Sequence, residues 1–200
     1  MEAKINWSYP APRPGLAGAL DRFIGPGVTP AELWLELGSA IAFGAAVLAY
    51  SLWKSPGWSL LQTLVAVILA ADMAGGIVTN ATSTAKRWYH RAGQGFGQRF
   101  AFVAVHTAEI LLVAWLFRSM DWLFFSVMAG YLLAAAAVIL KTPVYLQRPA
   151  ALGLFAIALL VSVYGFPAVA GMEWYIPFLF LKLLVSHLVR EEPYRPTAEA

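Results

Sequence analysis

Long apolar segments constrain this chain more than any other feature of its sequence. A helix needs about 20 mostly apolar residues to cross roughly 30 Å of hydrocarbon, and six segments meet that requirement. With 60% hydrophobic and only 12% charged residues, the chain has about half the charged fraction of an ordinary soluble domain. We predict an all-α, polytopic integral membrane helix bundle with six transmembrane helices, at residues 31–53, 57–80, 99–118, 122–141, 150–166 and 172–189.

Lysine and arginine are distributed unevenly between the predicted loops. Only Lys54 and Arg118 fall on one side of the six spans, and eleven basic residues fall on the other. Basic residues in short loops stay in the cytoplasm, so we expect a multi-pass protein of the inner membrane with both termini cytoplasmic. The predicted organisation is an N-terminal tail (1–30), a six-helix transmembrane domain (31–190) and a C-terminal tail (191–200). The eleven residues are Lys4, Arg13, Arg22, Lys86, Arg87, Arg91, Arg99, Lys141, Arg148, Arg190 and Arg195.

The N-terminal tail carries one short amphipathic pattern. Residues 1–30 are rich in proline and glycine and lack a continuous apolar stretch before a cleavage site, so no secretory signal is expected. Leu16, Leu20, Phe23 and Ile24 recur at helical spacing. This spacing indicates a short N-terminal interfacial helix lying on the membrane, and a disordered proline-rich tail is the alternative.

Two helix starts are indicated by local signals. Thr29 and Glu32 have the spacing of a capping box, and Pro30 between them suits the first turn of a helix. Ser55 followed by Pro56 suggests the same kind of start for the second span.

Three charged residues lie deep inside apolar segments. Asp72, Glu109 and Lys182 occur in the second, third and sixth spans, and a charge near the middle of a membrane helix costs about 2.5–3.5 kcal/mol on insertion scales. Helical rise places all three in the cytoplasmic half of the bilayer. His106 shares a helical face with Glu109, whereas His187 is expected to point away from Lys182. We expect these three spans to meet around a polar pocket open to the cytoplasm.

The charge count of this pocket favours a functional site. Asp72, Glu109 and Glu36 supply three carboxylates for a single deep lysine, Lys182. The surplus must be protonated, paired with an imidazolium or bound to a cation, because an uncompensated buried carboxylate is too costly. A purely structural ion pair of Lys182 with Asp72 or Glu109 is the alternative.

A metal site is one chemical hypothesis for these residues. Imidazole and carboxylate ligands suit zinc or iron, and His106, His187, Asp72 and Glu109 are the candidate ligands. The chain has no cysteine, which excludes thiolate ligands and thiolate catalysis. It also has no HExxH motif, so the cofactor, if any, stays unidentified beyond a divalent metal.

Metal-free acid/base chemistry is the second hypothesis. Asp72 and Glu109 would act as acid/base carboxylates, His106 and His187 as bases, and Lys182 as an orienting group. The predicted function is an intramembrane enzyme acting on a lipid or other apolar substrate. A proton-coupled transporter or channel is one alternative, although the polar residues are one-sided and no internal repeat is visible. A non-catalytic subunit of a larger membrane complex is another.

The loop between the second and third spans is both cationic and aromatic. We predict that Asn80, Lys86, Arg87, Tyr89, His90 and Arg91 bind the substrate, with the cations meeting an anionic headgroup or lipid phosphate. Interfacial anchoring of the helices is the alternative. Membrane lipids are therefore the expected partners. Nucleic acid is not expected, because the basic residues flank apolar spans, and oligomerisation stays open.

Overall fold

The computed structural model describes residues 3–196, so parts of both predicted tails (1–2 and 197–200) lie outside it. The regular secondary structure of these residues is helical apart from two strands of three residues, β1 (Ala3–Ile5) and β2 (Tyr194–Pro196). The helices are α1 (Gly15–Ile24), α2 (Pro30–Lys54), α3 (Leu60–Ala81), α4 (Ser83–Tyr89), α5 (Phe96–Val105), α6 (Thr107–Phe117), α7 (Trp122–Lys141), α8 (Val144–Gly165) and α9 (Tyr175–Phe180), which continues as a π-helical segment (Leu181–His187).

Five helical segments of this described region are long and apolar enough to cross a membrane. They are α2, α3, the pair α5–α6, α7 and α8, with 20 to 25 residues each. At about 1.5 Å per residue, even the shortest spans roughly 30 Å. The chain is thus a multi-pass, all-α membrane protein. The sixth predicted span (172–189) forms a shorter apolar helix, Tyr175–His187.

The two predicted helix starts have different outcomes. Thr29 and Glu32 form a capping box, with the Thr29 hydroxyl accepting from the Glu32 amide and the Glu32 carboxylate accepting from the Thr29 amide. The prediction for Ser55 is wrong, because Ser55 ends α2 in a left-handed conformation. Ser59 caps α3 instead, since Gln62 stands three residues later and completes its capping box.

The interior of the bundle is built from α3, α7 and α9 with its π-helical segment. Their small and branched side chains are fully buried, as at Ala66, Leu132 and Leu183. α2 packs along α3, with Gly44 and Gly75 at the contact. The opposite face of α2 exposes large apolar side chains, and this is the pattern of a lipid-facing surface; they include Trp34, Leu35, Ile41, Leu52 and Trp53.

A two-stranded antiparallel ribbon joins the two ends of the described chain. Lys4 of β1 is paired with Arg195 of β2. Arg195 also donates to Glu32 at the start of α2 (3.3 Å) and to Thr84 at the start of α4 (2.5 Å). Residues 3–5 and 194–196 therefore lie at the same end of the bundle, which we call the ribbon end.

The short helix predicted in the N-terminal tail is present as α1. It is held at the ribbon end by α4, because the Trp88 indole donates to the Arg22 carbonyl and the Tyr89 hydroxyl donates to the Phe23 carbonyl. Ile24 is buried, whereas Leu16 and Phe23 are exposed. The helix thus keeps an apolar face that the rest of the protein does not cover.

Candidate functional site

A cavity of about 510 Å³ opens between α2, α3, α5 and the π-helical segment. α1 and Tyr89 of α4 close it at the ribbon end. Most of its wall is apolar, with Leu20, Leu37, Ala71 and Phe102 among the lining residues. Its polar side chains are Glu36, Asp72, Thr79, Asn80, Tyr89, His106 and Lys182. A mostly apolar wall with a few convergent polar groups is typical of a site for a small amphipathic molecule.

An ion pair between Lys182 and Asp72 forms part of the cavity wall. The Lys182 ammonium donates to Asp72 Oδ2 at 2.5 Å. Only 4% of the Lys182 side chain is exposed, against 38% for Asp72, so the carboxylate faces the cavity and the lysine lies behind it. Gly76 makes room for the lysine, because a Cβ atom there would lie 2.5 Å from Lys182 Cε.

His106 lies at a break in the third span. Its amide bonds the Val103 carbonyl, three residues back, and its ring Nδ1 bonds the Phe102 carbonyl at 2.6 Å. The ring thus bonds the carbonyl that the His106 amide would bond in a regular α-helix. The loss of that backbone hydrogen bond separates α5 from α6. A carbonyl only accepts, so Nδ1 carries the proton and Nε2 of the neutral ring keeps its lone pair.

Two further carboxylates, the half-buried Glu109 and the buried Glu36, lie close to these groups. Glu109 Oε1 is 3.9 Å from His106 Nε2, which is too long for a hydrogen bond. Within residues 3–196, the other Glu109 oxygen and Oε1 of Glu36 are buried without a hydrogen-bond partner. The Glu109 side chain interacts electrostatically with both Lys182 and Asp72. Asp72 and Glu36 line the cavity together with Lys182, so its wall carries more carboxylates than that lysine can pair, and Glu109 does not line it.

His187 belongs to a neighbouring aromatic cluster and does not line the cavity. Its Nδ1 contacts Asn80 Oδ1 at 3.2 Å, and its ring stacks on Phe102 with the centroids 3.9 Å apart. The prediction that His187 points away from Lys182 is wrong, because the two side chains contact residues on the same face of α3. Hydrogen bonds of the π-helical segment close on the fifth residue, as from Leu188 to Leu183, so residues five apart are neighbours there.

The cationic side chains of α4 and of the residues just after it donate hydrogen bonds to backbone carbonyls of the protein. Lys86 donates to Ser186 and Val189 at 2.5 and 2.6 Å, and Arg87 donates to Ser8. Arg91 donates to the Trp88 carbonyl and lies over the Trp88 ring. His90 Nε2 meets the His187 carbonyl at 3.0 Å. Of the predicted substrate-binding set, only Asn80 and Tyr89 line the cavity.

Comparison with protein-family models, curated proteins and solved structures finds no match to this chain.

The metal hypothesis finds no support in the side-chain positions. In the part of the chain that the structure describes, no three histidine, aspartate or glutamate side chains form a group that could hold a metal ion. His187 Nδ1 is engaged with Asn80, and its ring stacks on Phe102. The donor set that the sequence suggested therefore does not fit zinc or iron, and no chemical step is assigned to a metal.

Tyr175 is a polar residue of the interior that the sequence analysis did not single out. Its hydroxyl is buried without a hydrogen-bond partner within residues 3–196, and it interacts electrostatically with Glu109 and Asp72. It also lines a second cavity, of about 300 Å³, near Arg118 and Glu173 at the end of the bundle opposite the ribbon. From sequence alone, a tyrosine in an apolar helix cannot be distinguished from a packing residue, because the side chains around it are unknown.

Proposed function

We propose that this protein is an intramembrane enzyme that binds a lipid or other amphipathic molecule in the 510 Å³ cavity and transforms it by acid/base chemistry. The observation that carries the proposal is the combination of an apolar wall with the half-exposed Asp72 carboxylate and the His106 ring. A soluble substrate would not need a wall of this kind, and a scaffold would not need a charged pair facing an open cavity.

The atoms of the site have distinct roles in this proposal. His106 Nε2 is the base, because Nδ1–H is fixed on the Phe102 carbonyl and orients the ring. Glu109, 3.9 Å away, stabilises the imidazolium that forms when the base takes a proton. The Asp72 carboxylate faces the same cavity, with Lys182 behind it, and accepts a hydrogen bond from a polar group of the substrate, which orients the substrate toward His106.

The orientation in the membrane is part of the same proposal: six crossings, with both termini in the cytoplasm. The pairing of β1 with β2 supports an even number of crossings, because an even number keeps the two strands on one side of the membrane. Lys182 contacts Asp72 and His187 contacts Asn80, so α3 and the last helix run in the same direction. The excess of basic residues at the ribbon end supports a cytoplasmic location for that end, in an inner membrane.

Comparative lipid analysis tests the enzyme directly. We expect cells that express His106→Gln or Asp72→Asn to accumulate an apolar substrate that cells with the wild-type protein convert. Leu37→Trp, which adds bulk to the cavity wall and replaces no ionisable group, should have the same effect. Thr63→Val is the matched control, because Thr63 bonds Ser51 between the same two helices away from the cavity. Identical lipid extracts from wild type, variants and empty vector would contradict the proposal.

Proton-coupled transport is a second candidate, favoured by Tyr175. Ionisable side chains extend from the proposed substrate cavity through Glu109 to Tyr175. Tyr175 lines the second cavity, at the opposite end of the bundle. The sequence alone indicated polar groups on one side only. Two buried groups without hydrogen-bond partners within residues 3–196, Glu109 and Tyr175, are suitable positions for proton transfer between the two cavities.

Proton flux into liposomes that contain the protein and an internal pH dye separates the two candidates. A transporter should acidify the lumen faster than protein-free liposomes do, and Tyr175→Phe should return the rate to the leak. Tyr131→Phe is the control, since the Tyr131 hydroxyl bonds the Leu154 carbonyl away from the path. A wild-type rate equal to the leak excludes this second function and leaves the enzyme.

A further inference from the structure

A second polar hollow lies at the ribbon end, outside the cavity and independent of the proposed reaction. It has a volume of about 500 Å³ and is formed by the connection between α4 and α5. His90, Arg91, Arg99 and Arg190 contribute its charged and titratable side chains, and the rest of its wall is glycine, alanine and glutamine. Among residues 3–196, no carboxylate lines it.

Arg99 is oriented toward this hollow by two neighbours. Its Nε donates to the Gly95 carbonyl at 3.3 Å, and its Nη1 contacts His90 Nδ1 at 3.4 Å. His90 Nε2 faces a carbonyl, that of His187, and must therefore carry the proton, which leaves Nδ1 as an acceptor for Arg99. Burial and the positive charges of Lys86, Arg99 and Arg190 lower the pKa of His90 to about 3, so the ring is neutral.

Arg190 supplies the second guanidinium of this hollow. It lies over the Trp7 ring, with its Cζ atom 4.7 Å from the ring centroid. Within residues 3–196, neither Arg99 nor Arg190 forms an ion pair with a carboxylate, although Glu191 nearby in sequence pairs with Arg148. The two guanidinium groups repel each other electrostatically. Two unneutralised arginines that face one hollow are the arrangement that proteins use for phosphate groups, because the planar fork matches phosphate oxygens.

We propose that Arg99 and Arg190 bind a phosphate-type anion in this hollow, with Arg91 at its rim. The anion is either a free phosphate or diphosphate, or the headgroup of an anionic lipid at the membrane surface. The site differs from the headgroup site predicted from sequence: Arg87 is engaged by Ser8 and Thr84, and Arg99 and Arg190 take its place.

Direct binding measurements test the site and separate the two sources of the anion. Inorganic phosphate and pyrophosphate are titrated into the detergent-purified protein, with the shift in melting temperature as the readout. Phosphatidylglycerol is tested by native mass spectrometry of protein released from nanodiscs. We expect Arg99→Gln and Arg190→Gln each to weaken binding roughly tenfold or more, because a charge-assisted hydrogen bond contributes at least that factor.

Three comparisons make the result decisive. Lys141→Gln removes an exposed cation at the last turn of α7 and should leave binding unchanged. Arg99→Lys keeps the charge and should bind with intermediate affinity. Asp72→Asn should bind like wild type, so a failure of the enzyme proposal is distinguishable from a failure of this one.

The probes that bind identify the ligand. Binding of phosphatidylglycerol alone identifies a lipid headgroup site, and binding of the free anions alone identifies a site for a soluble phosphate. Binding of both supports a phosphate site accessible to either source. The proposal is overturned if the wild type binds neither probe, or if both arginine variants bind as Lys141→Gln does.

Discussion

Replacing Asp72 by alanine is expected to lower the free energy of unfolding by about 3 kcal/mol, the lower end of the range for breaking a buried ion pair. The Lys182 ammonium then stays buried without its partner, since only 4% of that side chain is exposed. The lower end applies because 38% of the Asp72 side chain is exposed and is partly hydrated in the native protein. Denaturant unfolding in mixed detergent micelles measures the difference.

The reverse replacement provides the contrast. Lys182→Met should cost less than Asp72→Ala, because the remaining carboxylate can be hydrated in the cavity and methionine fills the space across Gly76. The double variant Asp72→Ala/Lys182→Met should recover most of the loss, since neither charge of the pair remains. If Lys182→Met costs as much as Asp72→Ala, or if the double variant is the least stable of the three, the buried lysine does not depend on Asp72.

Replacing Lys86 by methionine is expected to cost about 2 kcal/mol at pH 7. Lys86 is buried and donates to the carbonyls of Ser186 and Val189 at the end of the last helix. Methionine leaves both carbonyls without this donor, and an unsatisfied buried acceptor costs about 1–3 kcal/mol. Relief of the buried charge offsets part of that loss. Lys141→Met is the matched control, because Lys141 is exposed, and it should change stability little.

The cost of Lys86→Met should also depend on pH in a defined direction. Burial lowers the pKa of Lys86 from 10.5 to about 8 in the folded protein. Between these pH values the unfolded chain holds a proton that the folded protein has released, so raising the pH favours folding. The neutral amine still has two N–H donors for the two carbonyls. The stability gap between wild type and Lys86→Met should therefore widen from pH 8 to pH 10, and a constant gap would contradict the assignment.

The sequence predicted the membrane helices well because its signal there is local. An apolar run of sufficient length has few alternatives to a helix that crosses the bilayer, and Thr29 with Glu32 carries its own capping geometry. The interaction of Lys182 was predicted only as a choice between Asp72 and Glu109. That choice depends on how α3 packs on the last helix, and the structure shows contact with Asp72.

The sequence is less informative where a long side chain contacts a distant segment. Lys86 and Arg87 were predicted to bind substrate from their charge alone, because nothing local reveals that backbone carbonyls of other segments lie within their reach. The position of His187 was also wrong, since α-helical spacing does not apply in a π-helical segment. The arginines of the second hollow, Arg99 and Arg190, are 91 positions apart in the sequence, so only the fold brings them together.

The pairing of Lys4 with Arg195 has a consequence for biosynthesis. Residues 3–5 are translated long before residues 194–196, so β1 has no pairing partner until all the helices between the two strands have been made. A variant that lacks either strand loses the same ribbon, and a nascent chain keeps β1 unpaired until β2 emerges.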